Sequence, residues 1–448
     1  MKNYIFLFIS LVAYIYSPES YNLKFVVLIF LLFLLQVVPF LIKKSKLDYI
    51  NFYTIFYISF LLVNFFYPAI LYPIDPEFFS VFTLTFNHDV INRATALACL
   101  SSSCFVIGAS HVKSEQLKRT TINRVYYKHN IPTVITCVLF FAFVSTVGTE
   151  FLSGNFVAHS AVSLYILQLL TCSFTLASII YFKYYEQQSY GYLYISLVLL
   201  FSFLFLSVGD RGPALSLLLV CFTLYSNYVK RIKLLYAMPV AFLGIFIMHV
   251  VGEGRVAETV VGNENIFVRG MENLGDGVNS LYAMTHSFVI NSWTLYFGYD
   301  YVESNGLNYG LTIIKPVLGS FPFLLGLIKN TFGFDFQTSA EFFTYQTLGE
   351  NASWGLGTNL VIDVYISFGL TGCMILFYLF GLFVEKSRVS MLKKNSISTS
   401  IVYYNLIGFA VYMPRTSIFM PLKFMLWTFF IFIILVSAKA LRSRVIKY

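Results

Sequence analysis

The chain has 448 residues, of which 58% are hydrophobic, 19% aromatic and only 11% charged, with a mean hydropathy of +0.74. That balance excludes a soluble globular domain and a disordered chain. The net charge of +9 would suit nucleic acid, but the lysines and arginines stand in short clusters between apolar stretches and not on a polar domain with interleaved aromatics, which excludes that class too.

Apolar stretches of about 18 to 22 residues, each enough to cross a hydrocarbon core of roughly 30 Å as a helix, recur from end to end. Spans are predicted near residues 3 to 16, 23 to 42, 50 to 72, 91 to 112, 131 to 148, 161 to 182, 190 to 208, 213 to 229, 234 to 251, 356 to 384, 400 to 413 and 417 to 436. The expected fold is therefore all-α: a polytopic integral membrane protein of about twelve helices. The first stretch resembles a signal peptide, but Pro18-Glu19 follows without a small-residue cleavage site, so it is read as a retained span. All six cysteines lie inside apolar stretches without a CxxC pair, and the spacing predicts neither disulfide nor zinc.

Alternate connections are basic: Lys43, Lys44 and Lys46; Lys113, Lys118, Arg119, Arg124 and Lys128; Lys230, Arg231 and Lys233; Lys386, Arg388, Lys393 and Lys394; and the tail from Lys439 to Lys447. By the positive-inside rule these connections and both termini face the cytoplasm. On that map the cytoplasmic segments hold 21 of the 30 Lys and Arg but 4 of the 21 Asp and Glu, which leaves a polar, acidic surface outside. The chain divides into residues 1–251 with nine spans, an external connection over 252–355, and residues 356–448 with three spans and a basic tail. A connection of that length exceeds what joining two helices needs. Its stretches 278–298 and 307–328 are apolar enough to lie in the interface or form a re-entrant pair, with Pro316, Gly319 and Pro322 breaking the second.

The charges that stand out lie on the external side. Gly209-Asp210-Arg211-Gly212-Pro213 is predicted to be a tight turn that presents the amino end of a new helix, with Pro213 in its first turn. Free NH groups, the positive end of the helix dipole and a guanidinium together favour an anion, and the planar fork of Arg suits phosphate. Met413-Pro414-Arg415-Thr416-Ser417 interrupts the last two spans in the same way, with Thr416 a possible cap. The long connection adds Arg255 and Arg269, with Lys315 weaker; several converging arginines would match a diphosphate. A headgroup-level turn or a structural ion pair is the plainer use of each.

Asp363, in Trp354-Gly-Leu-Gly-Thr-Asn-Leu-Val-Ile-Asp, would stand about 13 Å from Trp354 if the segment is one helix. There it is either a proton acceptor or the partner of an arginine. Asp210 is a further acid beside Arg211. Asp75-Pro-Glu77 is read as a surface turn rather than a metal pair, and His249 as an interfacial histidine. Glu253, Glu272, Asp276 and His286 are external groups open to acid-base roles. No P-loop, nucleophile elbow or HExxH is present.

Gly-Asp-Arg-Gly before a span, the long external connection, Gly355-Leu-Gly-Thr-Asn-Leu-Val-Ile-Asp-Val-Tyr-Ile-Ser-Phe-Gly-Leu-Thr-Gly and the late Pro-Arg-Thr-Ser resemble the Wzy-type O-antigen or capsule repeat-unit polymerases. Members often carry Glu where this chain has Asp363. The resemblance implies a glycosyltransferase of the bacterial inner membrane, similar to the GT-C-like lipid-dependent enzymes, that joins undecaprenyl-diphosphate-linked oligosaccharides at the periplasmic face. It implies no cofactor, since the donor arrives activated. It also implies the bilayer, a chain-length regulator and a repeat-unit flippase as partners, with no nucleic acid. Arg211, Arg415, Arg269 and Arg255 would hold the leaving diphosphate. Two other functions stay open: an O-antigen ligase acting on lipid A core, with His286 as base, and a lipid-linked oligosaccharide flippase.

Overall fold

The computed structural model describes residues 2–45, 48–112, 130–153, 160–184, 191–256, 266–273, 282–352 and 354–445, and all regular structure in them is helical. In chain order the α-helices are α1 (Lys2–Ile15), α2 (Leu23–Lys44), α3 (Phe52–Leu61, continued by a π-helix over Leu62–Leu71), α4 (Ile91–His111), α5 (Asn130–Val147) and α6 (Ala161–Lys183). They continue as α7 (Gly191–Ser207), α8 (Arg211–Tyr228), α9 (Leu234–Val256), α10 (Ile266–Asn273), α11 (His286–Val289) and α12 (Asn291–Asn305). The last are α13 (Leu311–Leu318), α14 (Leu324–Phe332), α15 (Ser339–Leu348), α16 (Leu360–Lys394), α17 (Ile397–Phe409) and α18 (Met420–Val445).

Each of the twelve expected spans coincides with one of these helices. Among the described residues, 7 segments are both long and apolar enough to cross a membrane, in α2, α3, α4, α5, α6, α16 and α18. Shorter apolar segments lie in α1, α7 and α9. At 13 residues α17 measures about 20 Å, short of a full hydrocarbon core.

The chain forms two compact units. The first comprises Met1–Lys118, Thr285–Lys393 and Phe409–Lys423; the second comprises Arg119–Met284, Lys394–Gly408 and Phe424–Tyr448. The connection 252–355 is thus not one body, because its part up to Met284 belongs to the second unit and the rest to the first.

In the first unit α4 is the central helix, buried along nearly its whole length. Its run of Ala, Ser, Cys and Gly lets neighbouring backbones approach closely, and its hydroxyls find partners on α1 and α2. The Ser103 hydroxyl shares a hydrogen bond with Ser10 (3.1 Å) and donates to Gln36 (2.8 Å). Phe33, Phe52, Phe56, Tyr57, Phe60 and Phe65 fill the space beside it.

At the basic end of this unit Glu385 has no exposure. Lys44 Nζ stands 2.7 Å from Glu385 Oε1, the Tyr53 hydroxyl donates to Oε2 (2.6 Å), and Arg388 donates from 3.3 Å. Lys44 also donates to the Ala109 carbonyl (3.1 Å) and Arg388 to the Lys44 carbonyl (3.1 Å), so one buried carboxylate fastens α2, α3, α4 and α16. A charge this deep persists only when its partners surround it.

The stretch 278–298, expected to lie in the interface or to form half of a re-entrant pair, holds the start of α12. Asn291 through Tyr296 are all buried: the Trp293 indole donates to the Leu84 carbonyl (3.2 Å), and Tyr296 packs against Tyr67 and Phe86. The apolarity of this stretch fills the core of the first unit. The stretch 307–328 does break at Gly319 and Pro322, into α13 and α14.

Helix α15 starts with a capping box. The Thr338 side chain accepts from the Glu341 NH, and the Glu341 carboxylate accepts from the Thr338 NH (2.7 Å) and from Lys315 (2.7 and 2.8 Å). Burial pushes the Glu341 carboxyl up, but these hydrogen bonds outweigh it and its pKa is lowered from the ordinary value of 4.5. A depressed carboxylate contributes stability above its unfolded pKa and loses it as pH falls through the folded one. Protection of the α15 amides, taken relative to their intrinsic exchange rates, is therefore expected to fall on acidification below about pH 4, and Glu341→Gln is expected to flatten that dependence. Removing the cap with Thr338→Ala is expected to lower the melting temperature by an amount equivalent to about 1 kcal/mol.

The second unit pairs α5 with α6, stacks α8 on α6 and α7, and lays α10 along α9. Shared hydroxyls stitch it: Thr136 with Ser173 (2.5 Å) and Ser178 with Tyr194 (2.7 Å).

Candidate active site

Asp363 and Arg415 lie in the first unit and are brought together by backbone. The Asp363 carboxyl is 0% exposed; Oδ1 accepts from the Ser339 hydroxyl at the start of α15 (2.6 Å), and Oδ2 accepts from the NH of Ile418 (3.2 Å). Ile418 closes the Pro414-Arg415-Thr416-Ser417 junction, whose Met413–Arg415 part is a 3₁₀ turn. The junction is also held from α3, where the Ser59 hydroxyl donates to the Val411 carbonyl (2.6 Å). Helix α18 begins only at Met420, three residues past the place a Thr416 cap would require.

Arg415 projects from this junction, half-buried, and donates to the Ser287 carbonyl. Its guanidinium stands over the Phe288 ring (5.9 Å) and the Tyr412 ring (5.8 Å), a flat aromatic seat suited to a delocalised cation. His286 precedes Ser287 and is likewise half-buried, with its ring against Phe79 (4.8 Å).

The sequence expectation of a straight helix through Asp363 does not hold. Gly369 has φ +64° and ψ −159°, values outside any helix, and they split α16 there. Cys373 Sγ reaches the Val361 carbonyl at 3.7 Å, although twelve residues of straight helix would separate them by about 18 Å. The chain therefore doubles back at Gly369. The 13 Å estimate of depth from Trp354 lapses for a separate reason: residues 354–359 are not helical, and α16 begins only at Leu360. The carbonyl of Ile366, freed by the break, is taken by the Asn308 NH (2.9 Å). Ahead of the break Leu356, Thr358 and Asn359 are buried, and Asn359 donates to Asn64 (2.9 Å) in the π-helix, a type of irregularity that favours functional sites. Most of the motif from Gly355 to Gly372 is thus internal scaffolding, with exposure at Gly355, at its start, and at Phe368 and Thr371 beside the break.

The other arginines of the expected site belong to the second unit, while Lys315 lies in the first and is paired with Glu341. Arg211 is the first residue of α8 and donates to the Met248 carbonyl on α9 (2.5 Å). Asp210 occupies the cap position without a side-chain cap bond. His249 Nδ1 stands 3.6 Å from Glu253 in the next turn of α9. Gly270 of α10 sits so close that a Cβ there would stand 2.0 Å from the Val250 carbonyl oxygen, so only glycine permits this contact. Arg269 is its neighbour and Arg255 ends α9; the side chains of both lie outside the described residues, as does Asp276. Three of the expected arginines thus sit on elements that meet around Met248 and Val250, while Arg415 stands in the other unit.

Asp75 accepts from the Glu77 NH (2.9 Å) in an exposed turn. Among the described residues no three His, Cys, Asp or Glu side chains are placed to share a metal. Glu303 pairs with Arg93 (3.1 Å) and Glu272 is exposed. Ser339 and the Ser287 carbonyl went unnoticed in the sequence: Thr338 and Glu341 carry a readable capping signature, but nothing local marks the residue between them as the partner of Asp363.

Among the described residues all regular structure is helical and 7 segments are long and apolar enough to cross a membrane, which is the make-up of a polytopic membrane protein. The chain belongs to the O-antigen polysaccharide polymerase Wzy family, whose family model matches residues 1–442. It is thus a glycosyltransferase-type polymerase of O-antigen repeat units. No curated protein and no solved structure matches it.

Proposed function

We propose that the protein polymerises undecaprenyl-diphosphate-linked oligosaccharide repeats at the periplasmic face of the bacterial inner membrane, through twelve spans with both termini cytoplasmic. A sugar hydroxyl of one lipid-linked repeat attacks the anomeric carbon of the growing glycan. The new glycosidic bond forms as the bond to the diphosphate breaks, and undecaprenyl diphosphate leaves. The observation that carries this reading is the Arg415 junction, in which a guanidinium is held by the Ser287 carbonyl and two rings with donor capacity left for an anion. Charge developing on the leaving diphosphate is what such a fork stabilises. Arg211, Arg255 and Arg269, all on the second unit, are likewise assigned to diphosphate binding, with Asp210 next to Arg211 in the chain.

Asp363 has two possible roles in this reading, and its surroundings favour one. With no exposure and a hydrogen bond on each oxygen, it is better placed to fix the Arg415 junction than to meet a sugar hydroxyl. The proton acceptor is then His286, half-buried and adjacent to the carbonyl that holds Arg415.

Purified protein supplied with lipid-linked repeats alone tests the reading. Polymer is the expected product. A requirement for lipid A core would make the protein a ligase, and movement of substrate across vesicles without bond formation would make it a transporter.

A further inference from the structure

Helix α14 buries none of its residues. At 100° per residue, Leu324, Leu325, Leu327, Ile328 and Phe332 share one arc of about 160°, with Lys329, Asn330 and Gly326 on the remainder. The arc is only partly covered by protein: Leu324, Leu325 and Ile328 are half-buried, but Leu327 is 61% and Phe332 68% exposed, and the flanking Phe321, Phe323 and Phe334 are exposed as well. Apolar surface of this extent on an external segment calls for an apolar neighbour.

The position of the arm identifies that neighbour. After the break at Gly369, α16 exposes Ile375, Leu379 and Phe383 along one stripe, the lipid-facing side of a membrane-length helix, and Phe368 is exposed just before the break. The residues leading into α13 pack at this break, where the stripe begins. A Cβ on Gly310 would stand 3.1 Å from the Phe368 ring, Leu307 packs beside Gly369, and Thr312 bonds Ser367 (3.1 Å). Tyr309 and Leu311 are exposed here and continue the apolar surface from the spanning helix towards the arm. The charges of the arm are neutralised locally, Lys329 by Asp335 (2.5 Å) and Lys315 by Glu341 (2.7 Å).

We infer that the α13–α14 arm docks on the lipid surface at the Gly369 end of α16, with its Leu/Phe face in the acyl boundary and Lys329 and Asn330 towards water. This is the arrangement of a monotopic amphipathic helix. The arm is fastened to the candidate site, since Lys315 binds the Glu341 of the α15 cap and the next residue after that cap, Ser339, binds Asp363. The membrane surface thereby sets the position of the start of α15.

The inference rests on α16 being a membrane span and not on the polymerase reaction, and it is tested without turnover. Full-length protein in a Cys137→Ser background, the other five cysteines being buried, receives a nitroxide at Phe323→Cys, Leu327→Cys, Lys329→Cys, Asn330→Cys or Phe332→Cys. It is then reconstituted in phosphatidylethanolamine and phosphatidylglycerol vesicles. Labels at 323, 327 and 332 are expected to collide with oxygen several-fold more, relative to a water-soluble nickel chelate, than labels at 329 and 330. Nickel access at all five positions would overturn the inference. So would protection from both reagents with spin coupling between labels, which would mean that a second copy of the chain covers the arm.

Discussion

Arg415→Ala is expected to abolish long-chain polysaccharide while the protein accumulates in the membrane at its normal level. The guanidinium spends one donor on the Ser287 carbonyl and lies across Phe288 and Tyr412, so its direction is fixed before any ligand arrives. A donor preorganised towards charge that develops in the transition state contributes about 10² to 10³ in rate, or roughly 3 to 4 kcal/mol. Arg415→Lys keeps the charge but loses the planar fork. It cannot hold the carbonyl and grip two phosphate oxygens together, so shortened chains are expected. Arg211→Ala, in the other unit, is expected to give the same loss through its own site at the head of α8. Wild-type ladders from either alanine variant would remove that arginine from the diphosphate.

The second large effect separates two roles of one carboxylate. Asp363→Ala strips the Ser339 hydroxyl and the Ile418 NH of their partner, leaving the buried Ser339 donor unsatisfied at about 1 to 3 kcal/mol and the half-buried Ile418 NH without its acceptor, and the junction that aims Arg415 is released. Polymer should disappear. Asp363→Asn can rebuild both bonds, with its carbonyl accepting from Ile418 and its amide donating to Ser339, whose hydroxyl turns to accept. Most activity should therefore return, with an unchanged pH profile. If the Asn variant is folded yet inactive, the negative charge itself is needed, and Asp363 is the proton acceptor after all. Single-turnover rates measured across pH 5 to 9 on both variants distinguish these outcomes.

The sequence by itself determined the helices and their places. The twelve apolar stretches lie on helices, because a helix satisfies its own backbone in so apolar a chain, and the basic residues Lys43, Lys44, Lys393 and Lys394 stand at helix ends. It also pointed to Arg415 and Asp363, since a charge among so many apolar residues is legible without a structure. Only the tertiary structure decided what those charges touch. In the sequence Lys44 and Arg388 mark topology, yet with Tyr53 they surround Glu385, which the sequence does not single out, and join four helices. The apolar stretch around Trp293 was indistinguishable from a lipid-facing one, because burial in protein and burial in lipid select the same side chains. The doubling back at Gly369 and the meeting of Asp363 with Ser339 and Ile418 depend on contacts between residues far apart in the chain, 24 and 55 positions for the latter two, which no local pattern encodes.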